Sequence, residues 1–598
     1  MSEKKFGASF EMNLAKLFLC TGIFCGIFPA VYYSIYGFSN NILLIWLLSI
    51  LILGAHFFRK SEHKKVKIGF GKRDLFIIIC ITLLFAPVYL YNTYKSPFPI
   101  VNDELINVII ARTKVFTTDY DIFKPTGYIF YPSFVFIFFG WTGKIIFGSI
   151  TIYSMRFLTA VFGLITIPAS YLFFRLFSGR KTSMGAAVIL GSSHVFLALS
   201  RMALSNIAYL FNVISLGLFY LAYKHEDYFY VFLGSLCAGI SFYSYFTGRF
   251  VFIFWTIFLI LIIVFKKKHL GTRKILNLYL ASALVFFIII GPLVIPALVN
   301  SQNSIILGQG YLTKQLLLFE DGRSEQQLFV NAPTPAAGVI KNVIDGITIF
   351  NNKIQDRSAF YPNVGHGFFD FLTGIFIIAG AVLLLGKKNK KEHELLILGC
   401  FFFLWFLYIF VINKAPTYNR VLAILPFSSY IAANCIAAVS VFLYKRTKIG
   451  VNLSFIVIIG LILILNFSYY NDFNHNSMVL SQPLGATGRF IGGIEHPEKY
   501  KFILVNNTKY PYFTWPYPEA YKMQIEFFTN NTRFNFFTAG HENVKIVPIE
   551  NLTQNIREGP LIIFINGDLW AQYNYTIKNY YQKHILTPDH KLLAIELD

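Results

Sequence analysis

The chain of 598 residues is 55% apolar and 18% aromatic, with only 14% charged residues and a mean hydropathy of +0.56. That composition excludes a soluble globular protein and defines a polytopic membrane protein. The net charge of +22 would suit nucleic acid if the basic residues shared one face, but they form short clusters between apolar runs, as cytoplasmic loops do, and no nucleic-acid partner is expected.

A hydrocarbon core of about 30 Å takes roughly 20 apolar residues to cross. Placing each basic cluster inside gives one consistent path. "MSEKK" starts inside, and helices near 14–36 and 41–57 form a hairpin returning to "FRKSEHKKVKIGFGKRD". The first apolar run lacks a small-residue cleavage site, so a membrane span is expected there and not a signal peptide. A third helix near 75–94 carries the chain out, placing Asp103 and Glu104 on the extracytoplasmic side. "SGRKTS" at 178–183, "YKHED" at 223–227, "KKKHLGTRK" at 266–274, "GKKNKKEH" at 386–393 and "KRTK" at 445–448 must all be inside. This holds only if the apolar run near 129–147 lies along the outer surface, so that the next crossing opens at Arg156. About thirteen crossings follow, with the chain after Tyr470 outside.

Three regions are expected: 1–74, a helical hairpin with a basic loop; 75–470, the membrane module, with outer loops 95–155 and 298–367; and 471–598, outside. Loop 298–367 is too polar to span. In the tail, "KFILVNN", "RFNFF", "NVKIVP", "PLIIFING" and "LLAIEL" read as strands, and "PEAYKMQIEFFTN" and "AQYNYTIKNYYQ" as helices, which predicts a small α/β domain. Sequons at Asn506, Asn530, Asn551 and Asn574 fit an outer location. The six cysteines, at 20, 25, 80, 237, 400 and 435, fall in apolar runs without paired spacing, which argues against structural zinc and disulfides. No fixed-period repeat and no clear inverted repeat stand out.

The stretch "VNDELINVIIARTKVF" puts Asp103 and Glu104 side by side at a membrane edge. One reading is a solvated start of an amphipathic helix, its carboxylates offsetting the helix dipole. The functional reading makes one carboxylate a base that takes a proton from an acceptor hydroxyl and the other its orienter. Four arginines stand at outer helix ends against the positive-inside bias: Arg156 in "YSMRFL", Arg201 in "LSRMALSN", Arg249 in "YFTGRF" and Arg420 in "APTYNRVLAILP". A lone interfacial arginine is usually a snorkelling anchor. Four guanidinium forks beside carboxylates suit a phosphate-linked, membrane-embedded substrate.

With these residues in place the chain resembles the protein O-mannosyltransferases and the wider group that includes the lipid A aminoarabinose transferases, integral membrane glycosyltransferases of the GT-C type. "SRMALSN" resembles their Ser-Arg-x-x-x-x-Asp segment, Asp103-Glu104 their Asp-Glu pair, and "YPSF" at 131–134 stands in place of their His-Pro-Pro-Leu. "GISFYSYFTGR" and "NRVLAILP" are similar to segments of the wider group, and the likeness spans roughly 75–445. Asn206 stands where the mannosyltransferases have Asp, and Tyr131 and Ser133 replace the His and the second Pro. The two N-terminal spans and the tail lie outside that pattern.

The resemblance implies inverting transfer of a sugar from a polyprenyl-phosphate donor to a lipid, glycan or protein acceptor. Asp103 would be the general base and Glu104 its partner, with Arg249 and Arg420, then Arg201 and Arg156, on the donor phosphate. Asn206, Tyr131, Tyr243, Tyr245 and His366 are expected to line the substrate. No residue spacing makes a metal site, and no cofactor is required, though a divalent metal is left open. The alternative is a transporter or flippase of lipid-linked sugars, which predicts ionisable residues deep in the spans and repeated halves.

Overall fold

The computed structural model describes residues 2–61, 69–93, 102–118, 120–126, 131–203, 207–244, 246–265, 271–299, 335–351, 366–388, 390–410, 418–479, 490, 494, 500–506, 544–548, 561–566, 582–585 and 592–597. The hairpin is α1 (Ser2–Tyr36) and α2 (Asn40–Lys60), joined by a short link whose Ser39 hydroxyl accepts the Ile42 N–H. α2 turns Ile42, Trp46, Ser49 and Leu53 to the bundle and leaves Leu44, Leu47, Leu48 and Leu51 exposed. A helix apolar on both faces belongs in lipid.

There follow α3 (Lys72–Leu90), α4 (Asn102–Phe116), α5 (Ser133–Phe147), α6 (Ile152–Arg175), α7 (Arg180–Ser192) and α8 (His194–Ser200). A two-residue ladder, β1 (Pro125–Thr126) on β2 (Tyr131–Pro132), leads into α5. Next come α9 (Ile207–His225), α10 (Tyr228–Phe242), a 3-10 turn Phe246–Phe250, α11 (Val251–Phe265) and α12 (Thr272–Val299). The rest of the membrane part is α13 (Pro335–Thr348), α14 (Phe371–Leu385), α15 (Glu392–Phe410), α16 (Tyr418–Val421), α17 (Leu425–Thr447) and α18 (Val451–Val479).

Among the described residues nine helices are long and apolar enough to cross a membrane, and α7 with α8, bent by 60° between them, makes a tenth. α5, α10 and α14 are apolar as well but shorter, at 15 residues each. The chain is a multi-pass membrane protein. Its most buried spans are those built on α9 and α17.

The basic clusters share one end of this bundle. There the buried Asp74 accepts from Arg175 at 2.8 Å, Arg180 at 2.9 Å and the Tyr171 hydroxyl at 2.7 Å. Lys181 reaches the Val451 carbonyl, Ser61 reaches Asp227, and Lys224 pairs with Glu392. At the far end Arg156, in the second turn of α6, pairs with Glu104, and Arg112 donates to the Ile150 carbonyl at 2.5 Å. Tyr33, near the far end of α1, donates to Asp121 at 3.0 Å. Positions 104, 112, 121 and 150 all meet far-end groups, so α4 and α5 stay at that end, as the charge pattern predicts. Gly148, at φ 70, stops α5 in the left-handed region, and four residues later α6 begins its crossing.

Loop 298–367 is not wholly irregular. α13 docks on α15 where the Trp405 indole N–H donates to the Gly346 carbonyl at 3.0 Å, while Ile340, Ile344 and Ile347 stay exposed. Its apolar residues recur at helical spacing, but polar flanks bury that signal when the loop is averaged.

The tail holds β3 (Lys501–Asn506), β4 (Val544–Pro548), β5 (Leu561–Asn566), β6 (Gln582–Ile585) and β7 (Leu592–Leu597) in one sheet of order β4-β3-β5-β7-β6. β4, β3 and β5 are parallel, and β7 runs antiparallel to β5 and β6. Consecutive residues of β5 and β7 are buried, as in a sheet covered on both faces. Four of the five expected strands are present. "RFNFF" and the expected helices lie outside the described residues, except that Gln582, the last residue of the second helix, instead opens β6 because it pairs with Glu596.

Candidate active site

The site is built from the start of α4. Glu104, Asn107, Val108, Ala111 and Val115 are buried, a stripe at helical spacing that lays α4 on α5 and α6. α6 starts with a reciprocal cap in which the Thr151 hydroxyl accepts the Ser154 N–H and the Ser154 hydroxyl accepts the Thr151 N–H. This sets Arg156 opposite Glu104. Arg156 Nε and Nη2 donate to the two Glu104 oxygens at 2.7 Å each, and both side chains are fully buried.

Glu104 also accepts the Ala203 N–H at 2.7 Å, and Asn107 donates to the Ala203 carbonyl at 2.7 Å. Two α4 side chains one helical turn apart thus grip both polar groups of one residue in the "SRMALSN" turn. Asn107 was not singled out from the sequence. Its spacing from Glu104 is visible there, but its partner is a backbone carbonyl 96 positions away.

The acidic pair is therefore divided. Glu104 spends its carboxylate on Arg156 and Ala203. Position 103 lies about 100° further round the first turn of α4, and the side chain of Asp103 lies outside what is described. Arg156 is turned to Glu104. Arg201 is buried, with Nη1 on the Val88 carbonyl at 2.7 Å and Nη2 on the Tyr91 carbonyl at 2.6 Å, and its guanidinium is 5.7 Å from the Tyr470 ring centre. It ties off the end of α3.

The other two arginines belong to turns held by α9. Asn212 donates to the Thr247 carbonyl at 3.3 Å and accepts from Ser241 at 2.5 Å, fixing the 3-10 turn that carries Arg249. Gly248 is essential to that turn, because a Cβ there would stand 1.9 Å from the Ser241 carbonyl oxygen. Arg249 is half-buried over the Phe242 ring. One helical turn back, Tyr209 donates to the Asn419 carbonyl at 3.2 Å, beside Arg420 in α16. Tyr209 and Asn212 line a cleft with Val213, Leu216, Phe254 and Phe427.

Tyr243 is buried, its hydroxyl on the Ile289 carbonyl at 3.1 Å and its ring among Trp46, Phe123 and Phe134, so it packs the frame and does not line an open cleft. His366 stacks on Tyr469 at 3.7 Å and bonds Asp472 at 2.9 Å, which fastens the end of loop 298–367 to α18. Asp370, just outside the helix it caps, accepts from the Thr373 N–H and from Asn466. Burial pushes its carboxyl up from the usual carboxylate range. Tyr131 lies in β2, its side chain outside the description, and Asn206, Tyr245 and the Arg420 side chain are also outside it. Among the described residues no group of three His, Cys, Asp or Glu could hold a metal ion.

No family model and no curated protein sequence matches the chain. Among solved structures it is similar to ArnT from Cupriavidus metallidurans bound to undecaprenyl phosphate, with a TM-score of 0.50 at 10% identity over 87% of this chain and 97% of that one. It is also similar to the Archaeoglobus fulgidus oligosaccharyltransferase tethered with an acceptor peptide, at a TM-score of 0.48 and 15% identity over 75% of this chain and 63% of that one. AglB from the same organism, in complex with an inhibitory peptide and a dolichol-phosphate, gives 0.46 and 13% identity over 87% and 74%. The likeness to ArnT is one of fold.

Proposed function

We propose that the chain is a glycosyltransferase that moves a sugar from a polyprenyl-phosphate donor to an acceptor on the extracytoplasmic side of the membrane. The observation that carries this reading is the convergence at the start of α9. The turn before it is gripped by Glu104 and Asn107, next to Asp103, and Tyr209 and Asn212 hold the turns bearing Arg420 and Arg249. One carboxylate and two arginine forks thus belong to segments tied to a single helix start. The binding of undecaprenyl phosphate by ArnT, a protein of like fold, supports the donor class.

In the reaction, Arg249 and Arg420 hold the donor phosphate by charge-assisted hydrogen bonds. Asp103 takes the proton of the acceptor hydroxyl as its oxygen bonds to the anomeric carbon from the face opposite the phosphate. The carbon–phosphate-oxygen bond breaks through an oxocarbenium-like state and the electron pair leaves with the polyprenyl phosphate, which the arginines stabilise, inverting the centre. Glu104 serves as the anchor that fixes α4, and so position 103, against α6 and α9.

The test is binding of undecaprenyl phosphate to the protein in lipid nanodiscs. Arg249→Gln and Arg420→Gln are each expected to weaken binding at least tenfold, the scale of one lost charged hydrogen bond. Wild-type affinity in both variants would refute the phosphate site.

A further inference from the structure

The α1–α2 hairpin is built into the far end of the bundle by side chains that match specific backbone needs. α12 contains Pro292, which has no N–H to offer the carbonyl four residues back. That carbonyl, of Ile288, accepts the indole N–H of Trp46 in α2 at 3.2 Å, and the next, of Ile289, accepts the Tyr243 hydroxyl at 3.1 Å. In a membrane interior a carbonyl left open is costly, so Trp46 supplies what the proline removes.

The hairpin then reaches the outer loop. Phe123 is fully buried, its ring against Tyr33 of α1 at 5.5 Å, Phe38 of the link at 6.3 Å, Trp46 at 5.3 Å and Tyr243 at 6.2 Å. Beside it the buried Asp121 accepts the Tyr33 hydroxyl on one oxygen and the Phe123 and Lys124 N–H groups, each at 3.1 Å, on the other. The carbonyls of Ile122 and Lys124 in turn accept the N–H groups of Phe134 and Ser133, closing the loop that carries Tyr131. Tyr243, in the same cage, ends α10 six positions before Arg249.

We infer that the N-terminal hairpin is a positioning element of the active site, setting the segments 121–126 and 131–134 and the α10 end through Tyr33, Asp121, Phe123 and Trp46. The inference rests on the proposed function for its catalytic meaning. Its geometric content stands alone. A hairpin that only anchored the chain would have no reason to place a donor on Asp121 or a cage on Phe123.

The test uses the full chain in lipid nanodiscs with Tyr33→Phe, Asp121→Ala and Asp121→Asn. Amide exchange at Phe123, Lys124, Ser133 and Phe134 should rise about tenfold in Tyr33→Phe and more in Asp121→Ala, the scale of a lost hydrogen bond to a charged acceptor. In Asp121→Asn the amide oxygen still accepts the Phe123 and Lys124 N–H groups, and the Nδ2–H donates to the Tyr33 hydroxyl, which turns to accept it, so this variant should restore most of the protection. Undecaprenyl phosphate binding should weaken about fivefold in Asp121→Ala and recover in Asp121→Asn, with exchange near Asp74 at the basic end unchanged. Unchanged exchange over 121–126 and 131–134 in Asp121→Ala would overturn the inference, as would a rise spread evenly over the bundle that Asn does not reverse. If wild type binds no undecaprenyl phosphate, the proposed donor fails, and the exchange results still decide the role of the hairpin.

Discussion

Replacing Glu104 by Ala strikes a pair in which both side chains are fully buried and three hydrogen bonds of 2.7 Å converge on one carboxylate. Removing one member of a buried ion pair typically costs about 3–5 kcal/mol, because the other charge loses its compensation. The Ala203 N–H also loses this acceptor, at about 1–3 kcal/mol if nothing replaces it. The two terms overlap, so a loss near 4 kcal/mol is expected, roughly a thousandfold more of the locally opened state. Glu104→Gln should lose less, since it still accepts the Ala203 N–H. The double variant Glu104→Met with Arg156→Met should recover much of the loss, since apolar residues of similar volume often replace a buried pair without penalty. The assay is thermal unfolding in nanodiscs together with exchange at the Ala203 amide. Wild-type melting and wild-type Ala203 protection in Glu104→Ala would refute the anchoring role.

Gly248→Ala should displace the Arg249 turn, because the added methyl meets the Ser241 carbonyl oxygen at 1.9 Å. Undecaprenyl phosphate affinity should fall at least tenfold with the arginine itself intact, and unchanged affinity would separate that turn from phosphate binding. Asp370 gives a pH dependence. Its folded-state pKa is raised by burial, so its contribution to stability is whole below the unfolded pKa and is lost as pH rises through the raised one. Unfolding measured across pH should show that decline in wild type and its absence in Asp370→Asn.

Much of the bundle was legible because the bilayer imposes a simple rule: basic clusters fall at one end, and every apolar run must join them consistently. That rule kept α5 from crossing, although its 15 residues are strongly apolar. It failed for α13, whose short apolar stripe lies between polar segments, and at Gln582, where pairing with β7 overrides the helical pattern of "NYTIKNYYQ". At the site, the sequence marked Asp103, Glu104 and the four arginines, but it put Glu104 with the base and Arg156 and Arg201 with the phosphate, where the fold instead turns all three to framework contacts. Glu104 and Arg156 meet across 52 positions, and Arg201 finds backbone carbonyls 110 and 113 positions away, distances no local pattern encodes. Tyr243 beside Arg249 looked like a substrate contact, but its partners, Phe123 and the carbonyl of Ile289, come from other elements. Pro292 was not singled out from the sequence, and only the fold reveals that Trp46 supplies the donor it lacks.

The most direct measurement is sugar release from a set of polyprenyl-phosphate sugars by the purified chain in lipid vesicles, comparing wild type with Asp103→Asn. Turnover by wild type that falls by at least about a thousandfold in the variant, with undecaprenyl phosphate binding retained, is the predicted result for a general base at position 103. Equal turnover in the two proteins would contradict it, and translocation of the intact lipid-linked sugar without release would mark the chain as a transporter.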